Sequence, residues 1–153
     1  MARATRWEAL LDVAAGLFSR QGFAATSIRE VAAGAGFSKA GLYYHIREKE
    51  DLLFHICCGS IEAILAEVRP AIAEMAEEPA PARLGAVVQA HVRFFHRHPD
   101  RLKVLVHEMG HLPPVQRQWV EVLERAYLDL ILNIIAEGQK LGSFAGMEPT
   151  VAA

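Results

Sequence analysis

The chain has 153 residues, a formal net charge of −2 and a hydrophobic content of 52%, which predicts one or two small domains with a substantial buried core. It contains no run of eighteen apolar residues, and its first residues lack the apolar core of a signal peptide, so a membrane-spanning or secreted protein is not expected. The two cysteines, Cys57 and Cys58, are adjacent and poorly placed to pair, which indicates a reduced, cytoplasmic protein.

The charge is unevenly distributed along the chain. Residues 1–49 carry seven Arg and Lys against four Asp and Glu, a net charge of +3, which leaves −5 for residues 50–153. A basic N-terminal third on an acidic body is typical of a small DNA-reading head joined to a regulatory domain.

The first predicted helix begins at Thr5, because Thr5 and Glu8 have the spacing of a capping box. Gly22 is predicted to end it. Apolar residues recur between these limits at helical spacing and are expected to face a core. They are Leu10, Val13, Ala14, Leu17 and Phe18.

Residues 26–53 predict two short helices joined by a tight turn, followed by a long helix. Ser27 is an N-cap with Glu30 three residues later, and Ser38 is a second N-cap. Between them, residues 34–36 are Gly-Ala-Gly, which break the first helix because glycine accepts the positive φ of a sharp turn. Helix, turn and helix in this order are the geometry of a DNA-reading helix-turn-helix.

The polar residues of the second short helix support this interpretation. Lysine and tyrosine side chains donate to phosphate oxygens, and Gly41 would allow a close approach to DNA. Lys49 opens the next helix, where a cation opposes the helix dipole and is therefore predicted to meet a phosphate.

The rest of the chain is predicted to be helical. The long helix runs from residue 49 to about 68 and ends or kinks at Pro70, and residues 77–81 form a proline-containing linker. A further helix starts near Pro81 and stops at Pro99.

Asp100 is predicted to cap the next helix, with Leu102, Leu105, Val106 and Met109 buried. The last helix runs from about residue 115 to 141 with Trp119 inward, and Gly142 is its C′ residue. No stretch alternates apolar and polar residues over strand length, so the predicted fold is all-α.

The residues 37–46, Phe-Ser-Lys-Ala-Gly-Leu-Tyr-Tyr-His-Ile, with Lys-Glu-Asp-Leu-Leu at 49–53, resemble the DNA-binding domain of the TetR/AcrR family of transcriptional repressors. The chain departs from the family pattern at Ile46, where Phe is usual, and at Glu48, where a small capping residue is usual. The resemblance implies a three-helix helix-turn-helix head at residues 1–48 and an antiparallel helical ligand-binding domain at residues 49–153.

The same resemblance implies the partners: double-stranded operator DNA, a small-molecule effector and a second copy of the chain, with no cofactor, metal or membrane. The predicted DNA-contacting residues are Thr26, Ser27, Ser38, Lys39, Ala40, Gly41, Tyr43, Tyr44, His45 and Lys49.

Residues 105–114 and the long helix after them look like the branch of the family that senses coenzyme A thioesters. This likeness predicts a repressor that an apolar or acyl-CoA-like ligand releases from its operator. Apolar and aromatic side chains of the body are expected to line the ligand pocket. The candidate pocket residues are Cys57, Ile61, His91, Phe95, Val106, Met109, Trp119 and Tyr127.

The resemblance also bears on assembly. In the family, two further helices form the dimer interface, and they are not found in this sequence after Gly142. The expectation is that the 153-residue chain dimerises poorly and exposes an apolar face of its last helix.

Two metal-based alternatives remain open from the sequence. His107, Glu108 and His111 match H-E-x-x-H, which would make a zinc-dependent hydrolase if Glu121 or Glu124 supplied a third ligand. A metal-sensing site could also form from His91, His96 and His98 with His107 or His111. Both compete with histidines that are structural or line a pocket.

Overall fold

A computed structural model describes the backbone of residues 2–144 and the side chains of residues 6–144. Within these residues it contains seven α-helices and a short 3₁₀ turn, Met109–His111, and no strand, which confirms the all-α prediction. The helices are α1 (Ala2–Gln21), α2 (Ile28–Gly34), α3 (Lys39–Tyr43), α4 (Lys49–Glu74), α5 (Ala80–Arg97), α6 (Pro99–Glu108) and α7 (Pro114–Lys140). No helix in this described part combines the length and apolar character needed to cross a bilayer.

The chain forms two compact units. The first comprises the described residues up to Ser60 together with His98–Glu121, and the second comprises Ile61–Arg97 together with the described residues from Val122 onward. α6 and the start of α7 therefore pack in the same unit as the helix-turn-helix. The domain boundary expected between residues 48 and 49 stays a prediction, because the packing units divide the chain elsewhere, after Ser60, Arg97 and Glu121.

The core of the first unit is built on α1. Leu10, Ala14 and Phe18 are fully buried, and Phe18 meets Phe23 edge to face with 5.1 Å between ring centroids. The α1 helix ends before Gly22, whose φ of +88° is the left-handed conformation expected of a C′ glycine. The start differs from the prediction, because α1 begins at Ala2 rather than at a cap on Thr5.

Polar contacts between α1 and α6 explain why two helix caps predicted from the sequence, at the starts of these helices, do not form. Arg101 is 8% exposed and donates to Glu8 at 2.7 Å and to Asp12 at 2.8 Å, so Glu8 pairs with α6 instead of capping α1. Asp100 accepts a hydrogen bond from Ser19 at 2.6 Å instead of capping α6, which begins at Pro99 without a side-chain cap.

The same contact sets which face of α6 is inward. Arg101 and Val104 are buried, whereas Val106, predicted to be inward, is 64% exposed. Apolar spacing placed Val106 inside, because the spacing alone could not reveal that a charged residue is held against α1.

The α4 helix is longer than predicted and continues through Pro70 to Glu74. A proline inside a helix removes the hydrogen bond to the carbonyl four residues earlier. Pro70 and Ala66 are both exposed, so water can replace that bond, and the helix is not interrupted.

The second unit packs α5 against the later parts of α4 and α7. Ile64 and Val68 from α4, Val87 and Phe94 from α5, and Ile134 from α7 form its buried cluster. The end of α7 agrees with the prediction: Gly142 has φ +75°, and Ser143 N donates to Gly138 O at 2.7 Å, which closes the chain reversal of a Schellman motif.

Candidate functional site

The helix-turn-helix forms as predicted. Ser27 accepts from Glu30 N at 3.2 Å while Glu30 accepts from Ser27 N at 2.8 Å, a complete capping box at the start of α2. The turn after α2 passes through Gly36 at φ +66°, and Ser38 then caps α3 by accepting from Gly41 N at 3.0 Å. The starts of α2 and α3 are thus each fixed by a serine that is hydrogen-bonded to a residue three positions later.

α3 is short and is anchored by one residue. Leu42 is fully buried and is the buried residue of this helix, while Lys39, Ala40 and Tyr43 are exposed. Tyr44, immediately after the helix, is 77% exposed. α3 thus turns one apolar anchor inward and polar and aromatic groups outward, and we call Lys39, Ala40, Tyr43 and Tyr44 the candidate reading surface.

The cation on this surface has a defined position. Lys39 Nζ lies 5.8 Å from the centroid of the Tyr43 ring, one turn further along the same face. A cation attracted to an aromatic face stays on the exposed side of the helix, where a phosphate can reach it.

His45 belongs to an aromatic cluster that joins three parts of the head. Its ring lies 5.6 Å from Trp7 on α1 and 6.1 Å from Phe37 in the turn before α3, measured between centroids. The Arg6 guanidinium lies over the Phe37 ring, 4.3 Å from its centroid, and donates to Gly36 O at 3.2 Å. Besides being exposed towards solvent, His45 therefore helps to hold α3 against α1.

Three residues of the predicted DNA-contacting set have other roles. Thr26 is 2% exposed and donates to Gly22 O at 2.8 Å, so it lies inside the head instead of on its surface. Gly41 leaves room for the cap, because a Cβ there would come within 3.0 Å of Ser38 Oγ. Ser27 is exposed, but its hydroxyl is engaged by Glu30.

Lys49 has a structural role that the sequence did not predict. Its Nζ donates to Phe23 O at 2.6 Å and to Thr26 O at 2.9 Å, approaches Ala24 O at 3.4 Å, and lies 4.2 Å from the centroid of the Phe23 ring. These carbonyls use all three donors of the ammonium group. Lys49 therefore braces the turn between α1 and α2, and its predicted phosphate contact stays a prediction.

Sequence reasoning missed how α4 is capped. Asp51, three residues after Glu48, accepts from Arg47 N at 2.8 Å and from Glu48 N at 3.2 Å. This is the reciprocal half of a capping box, and the three-residue spacing could have indicated it. Exposed Arg29 and Arg47 were also missed, and their positive charge adds to the basic character of this surface.

The predicted ligand-pocket residues are divided between the two units. In the second unit, His91 on α5 is hydrogen-bonded through Nδ1 to the Tyr127 hydroxyl on α7, and its ring contacts Phe95 edge to face at 3.9 Å. Burial lowers the pKa of His91 and raises the pKa of Tyr127, so both groups are uncharged near neutral pH. Ile61 is also buried in this unit.

The remaining pocket candidates lie in the first unit. Cys57 is fully buried in its core, and Met109 lies half-buried in the 3₁₀ turn. Val106 and Trp119 are 64% and 62% exposed, so they were not buried as predicted, and their contact with a ligand stays a prediction. On α7, Val120, one position after Trp119, is fully buried.

The H-E-x-x-H segment does not form a zinc-protease helix. α6 ends at Glu108 and a 3₁₀ turn follows, so His107 and His111 are not one turn apart on a continuous α-helix. Glu108 lies 3.3 Å from His111 Nδ1, and the His111 ring packs on Phe23 at 5.2 Å. Over residues 6–144, no three His, Cys, Asp or Glu side chains converge on a position for a metal ion. Neither the hydrolase nor the metal-sensing alternative is supported.

The fold and the site define a helix-turn-helix head on a helical body. Residues 10–56 match the family model for bacterial regulatory proteins of the tetR family, and residues 77–153 match that for the tetracyclin repressor-like C-terminal domain. The second match alone covers half of the chain. The chain therefore belongs to the TetR family, which confirms the resemblance.

Individual relatives agree with this assignment. The repressor KstR2 of Rhodococcus jostii is 28% identical over 136 residues, which is 88% of this chain and 66% of KstR2. The chain thus spans slightly less than two thirds of that relative's length.

Two solved structures show the same fold. PfmR from Thermus thermophilus is 28% identical with a TM-score of 0.82, over 91% of this chain and 75% of PfmR. AibR, solved in complex with isovaleryl coenzyme A and operator DNA, is 27% identical with a TM-score of 0.84, over 95% of this chain and 78% of AibR.

Proposed function

We propose that this chain is a transcriptional repressor that binds operator DNA through its helix-turn-helix and leaves it when a coenzyme A thioester or similar apolar ligand binds the body. The observation that carries the first half is the exposed surface of α3, with Lys39, Tyr43 and Tyr44 outward on a helix capped by Ser38 and anchored by Leu42. Among the predicted contacts, Ser38, Lys39, Ala40, Tyr43, Tyr44 and His45 remain as proposed DNA-contacting residues, because all six are exposed.

Replacing Lys39 with methionine tests this interface. Each phosphate contact releases counterions, so its loss should lower the magnitude of the slope of log K against log[salt] by about 0.9 and weaken binding to all duplexes. Fluorescence anisotropy with a duplex selected from random DNA, at four or more salt concentrations, measures both quantities. Lys140→Met, at the exposed end of α7, is the matched control. If both variants keep the slope of the unmodified chain, Lys39 does not contact a phosphate.

The effector half of the proposal rests on the second unit. His91 and Tyr127 form an uncharged polar pair beside Phe95, with the apolar residues Leu130 and Ile131 in the same cluster. Such a pair can donate one hydrogen bond to an acyl carbonyl within an otherwise apolar site. AibR, the structural neighbour, was crystallised with an acyl coenzyme A, which supports this ligand class here.

Tyr127→Phe should reduce the response to a thioester effector. It removes the hydroxyl and leaves the ring, so affinity for isovaleryl coenzyme A should fall about three- to tenfold, as expected for one hydrogen bond. Calorimetry with that ligand gives the dissociation constant. Operator DNA must lower the affinity of the protein for the ligand by the same factor by which the ligand lowers its affinity for DNA. Equal ligand affinity with and without operator would contradict the proposed regulation.

A further inference from the structure

The turn between α3 and α4 is held by a single carboxylate. Oδ2 of Asp51 accepts from the backbone N–H groups of Arg47 and Glu48, at 2.8 and 3.2 Å. These residues lie three and four positions after the exposed Tyr44 and immediately before α4, which begins at Lys49. The position of Asp51 therefore fixes the path by which the chain leaves the reading surface.

The other oxygen of the same carboxylate is bound from a distant helix. Gln116, in the first turn of α7, donates through Nε2 to Asp51 Oδ1 at 2.9 Å, across 65 residues of sequence. Burial alone would raise the pKa of Asp51, but the N–H groups of Arg47, Glu48 and Gln116, with His55 nearby, hold it below its ordinary value. The carboxylate is thus ionised at neutral pH and can accept all three hydrogen bonds.

Packing does not explain a glutamine at this position. Gln116 Oε1 is buried and has no hydrogen-bond partner among the described residues. Rotating the amide would turn its oxygen towards Asp51 and lose the hydrogen bond. Because a buried unpaired oxygen destabilises a fold, an apolar side chain of similar size would pack at lower cost. Among the described residues, the Gln116 amide is hydrogen-bonded to Asp51, and this donation is then the reason for its amide.

We propose that Gln116 is a positioning residue for DNA binding, which ties α7 through Asp51 to the turn that carries the end of the reading surface. This inference rests on the proposed function, because it assumes that α3 binds DNA. Gln116 does not touch DNA in this scheme. It restricts the turn between α3 and α4, so that Tyr44 and His45 meet the duplex without first having to be ordered.

The contact itself can be tested without DNA. In Gln116→Met, the NMR-measured pKa of Asp51 should rise, and the amides of Arg47 and Glu48 should exchange with solvent faster. Gln118→Met is the matched control, because Gln118 is exposed on the same helix and the hydrogen bond to Asp51 Oδ1 comes from Gln116, so the substitution should change neither quantity. If Gln116→Met does not fold, Gln116→Leu removes the same donor without placing a second charge beside Asp51. An unchanged Asp51 pKa and unchanged exchange would overturn the proposal.

The consequence for DNA is measured with the same variants. Gln116→Met should weaken binding to a selected duplex about three- to tenfold, the effect of one hydrogen bond, and leave the salt slope unchanged because no phosphate contact is lost. Gln116→Met should also lower the DNA affinity less when Asp51 has already been replaced by asparagine, because the two side chains act as a pair. Additive effects, or equal affinity of both methionine variants, would refute the positioning role. If the unmodified chain selects no duplex, the proposed function fails, whereas the pKa and exchange results still report on the contact.

Discussion

Leu42→Ala is expected to lower the free energy of unfolding of the first unit by about 2–5 kcal/mol, the range for removing a buried leucine side chain. Leu42 is fully buried and is the only buried residue of a five-residue helix within the described head, so α3 has little else to hold it in place. Binding to a selected duplex should fall by more than about tenfold, because the reading surface is then no longer ordered. Chemical denaturation and fluorescence anisotropy measure the two effects.

Val92→Ala is the control for this change. Val92 is 61% exposed on α5, and its truncation should alter stability by no more than about 0.5 kcal/mol. A Leu42→Ala variant as stable as Val92→Ala, with full DNA affinity, would show that α3 is held by contacts other than Leu42.

Lys49→Met should destabilise the head by about 1–3 kcal/mol, the usual effect of losing hydrogen bonds to a charged group, reduced because Lys49 is partly exposed. The variant loses the bonds to Phe23 O and Thr26 O, which hold the turn between α1 and α2. DNA affinity should fall with stability, while the salt slope of binding stays unchanged.

This outcome distinguishes a Lys49 that holds the turn between α1 and α2 from a Lys49 that contacts a DNA phosphate. A phosphate contact would lower the magnitude of the salt slope by about 0.9 without destabilising the free protein. Lys39→Met is the internal comparison, because Lys39 is exposed and should change the slope without changing stability. A reduced slope and normal stability in Lys49→Met would restore the phosphate contact predicted from the sequence.

The order of the helices follows from local sequence. The caps at Ser27 and Ser38 and the positive-φ glycines at 22, 36 and 142 lie where the spacing of residues placed them. Such boundaries could be predicted because the groups that satisfy a helix end are within a few residues of it. The exceptions are the predicted caps at Thr5 and Asp100, which the structure does not show, and Pro70, whose effect depended on which side of α4 faced solvent.

The reading surface could be predicted only in part. The exposure of Lys39, Tyr43 and Tyr44 could be expected, because they are polar or aromatic residues in or next to a short helix with one apolar anchor, Leu42. The sequence could not show that Thr26 is buried, because a threonine beside an N-cap is equally compatible with a surface position. In the body, Trp119 was placed inward by its apolar character, whereas Val120 occupies that position.

The sequence by itself determined an all-α chain, a helix-turn-helix with its caps, and membership of the TetR family. Tertiary structure decided what the charged and amide side chains do. Lys49 reaches carbonyls 26 and 23 residues away, Arg101 reaches Glu8 across 93 residues, and Gln116 reaches Asp51 across 65. The helical spacing of apolar residues indicates which face of a helix is buried. It does not indicate whether a polar side chain contacts solvent, a phosphate or a distant residue of the same chain. Only the packing of the helices selects among these, because it brings one partner within hydrogen-bond distance.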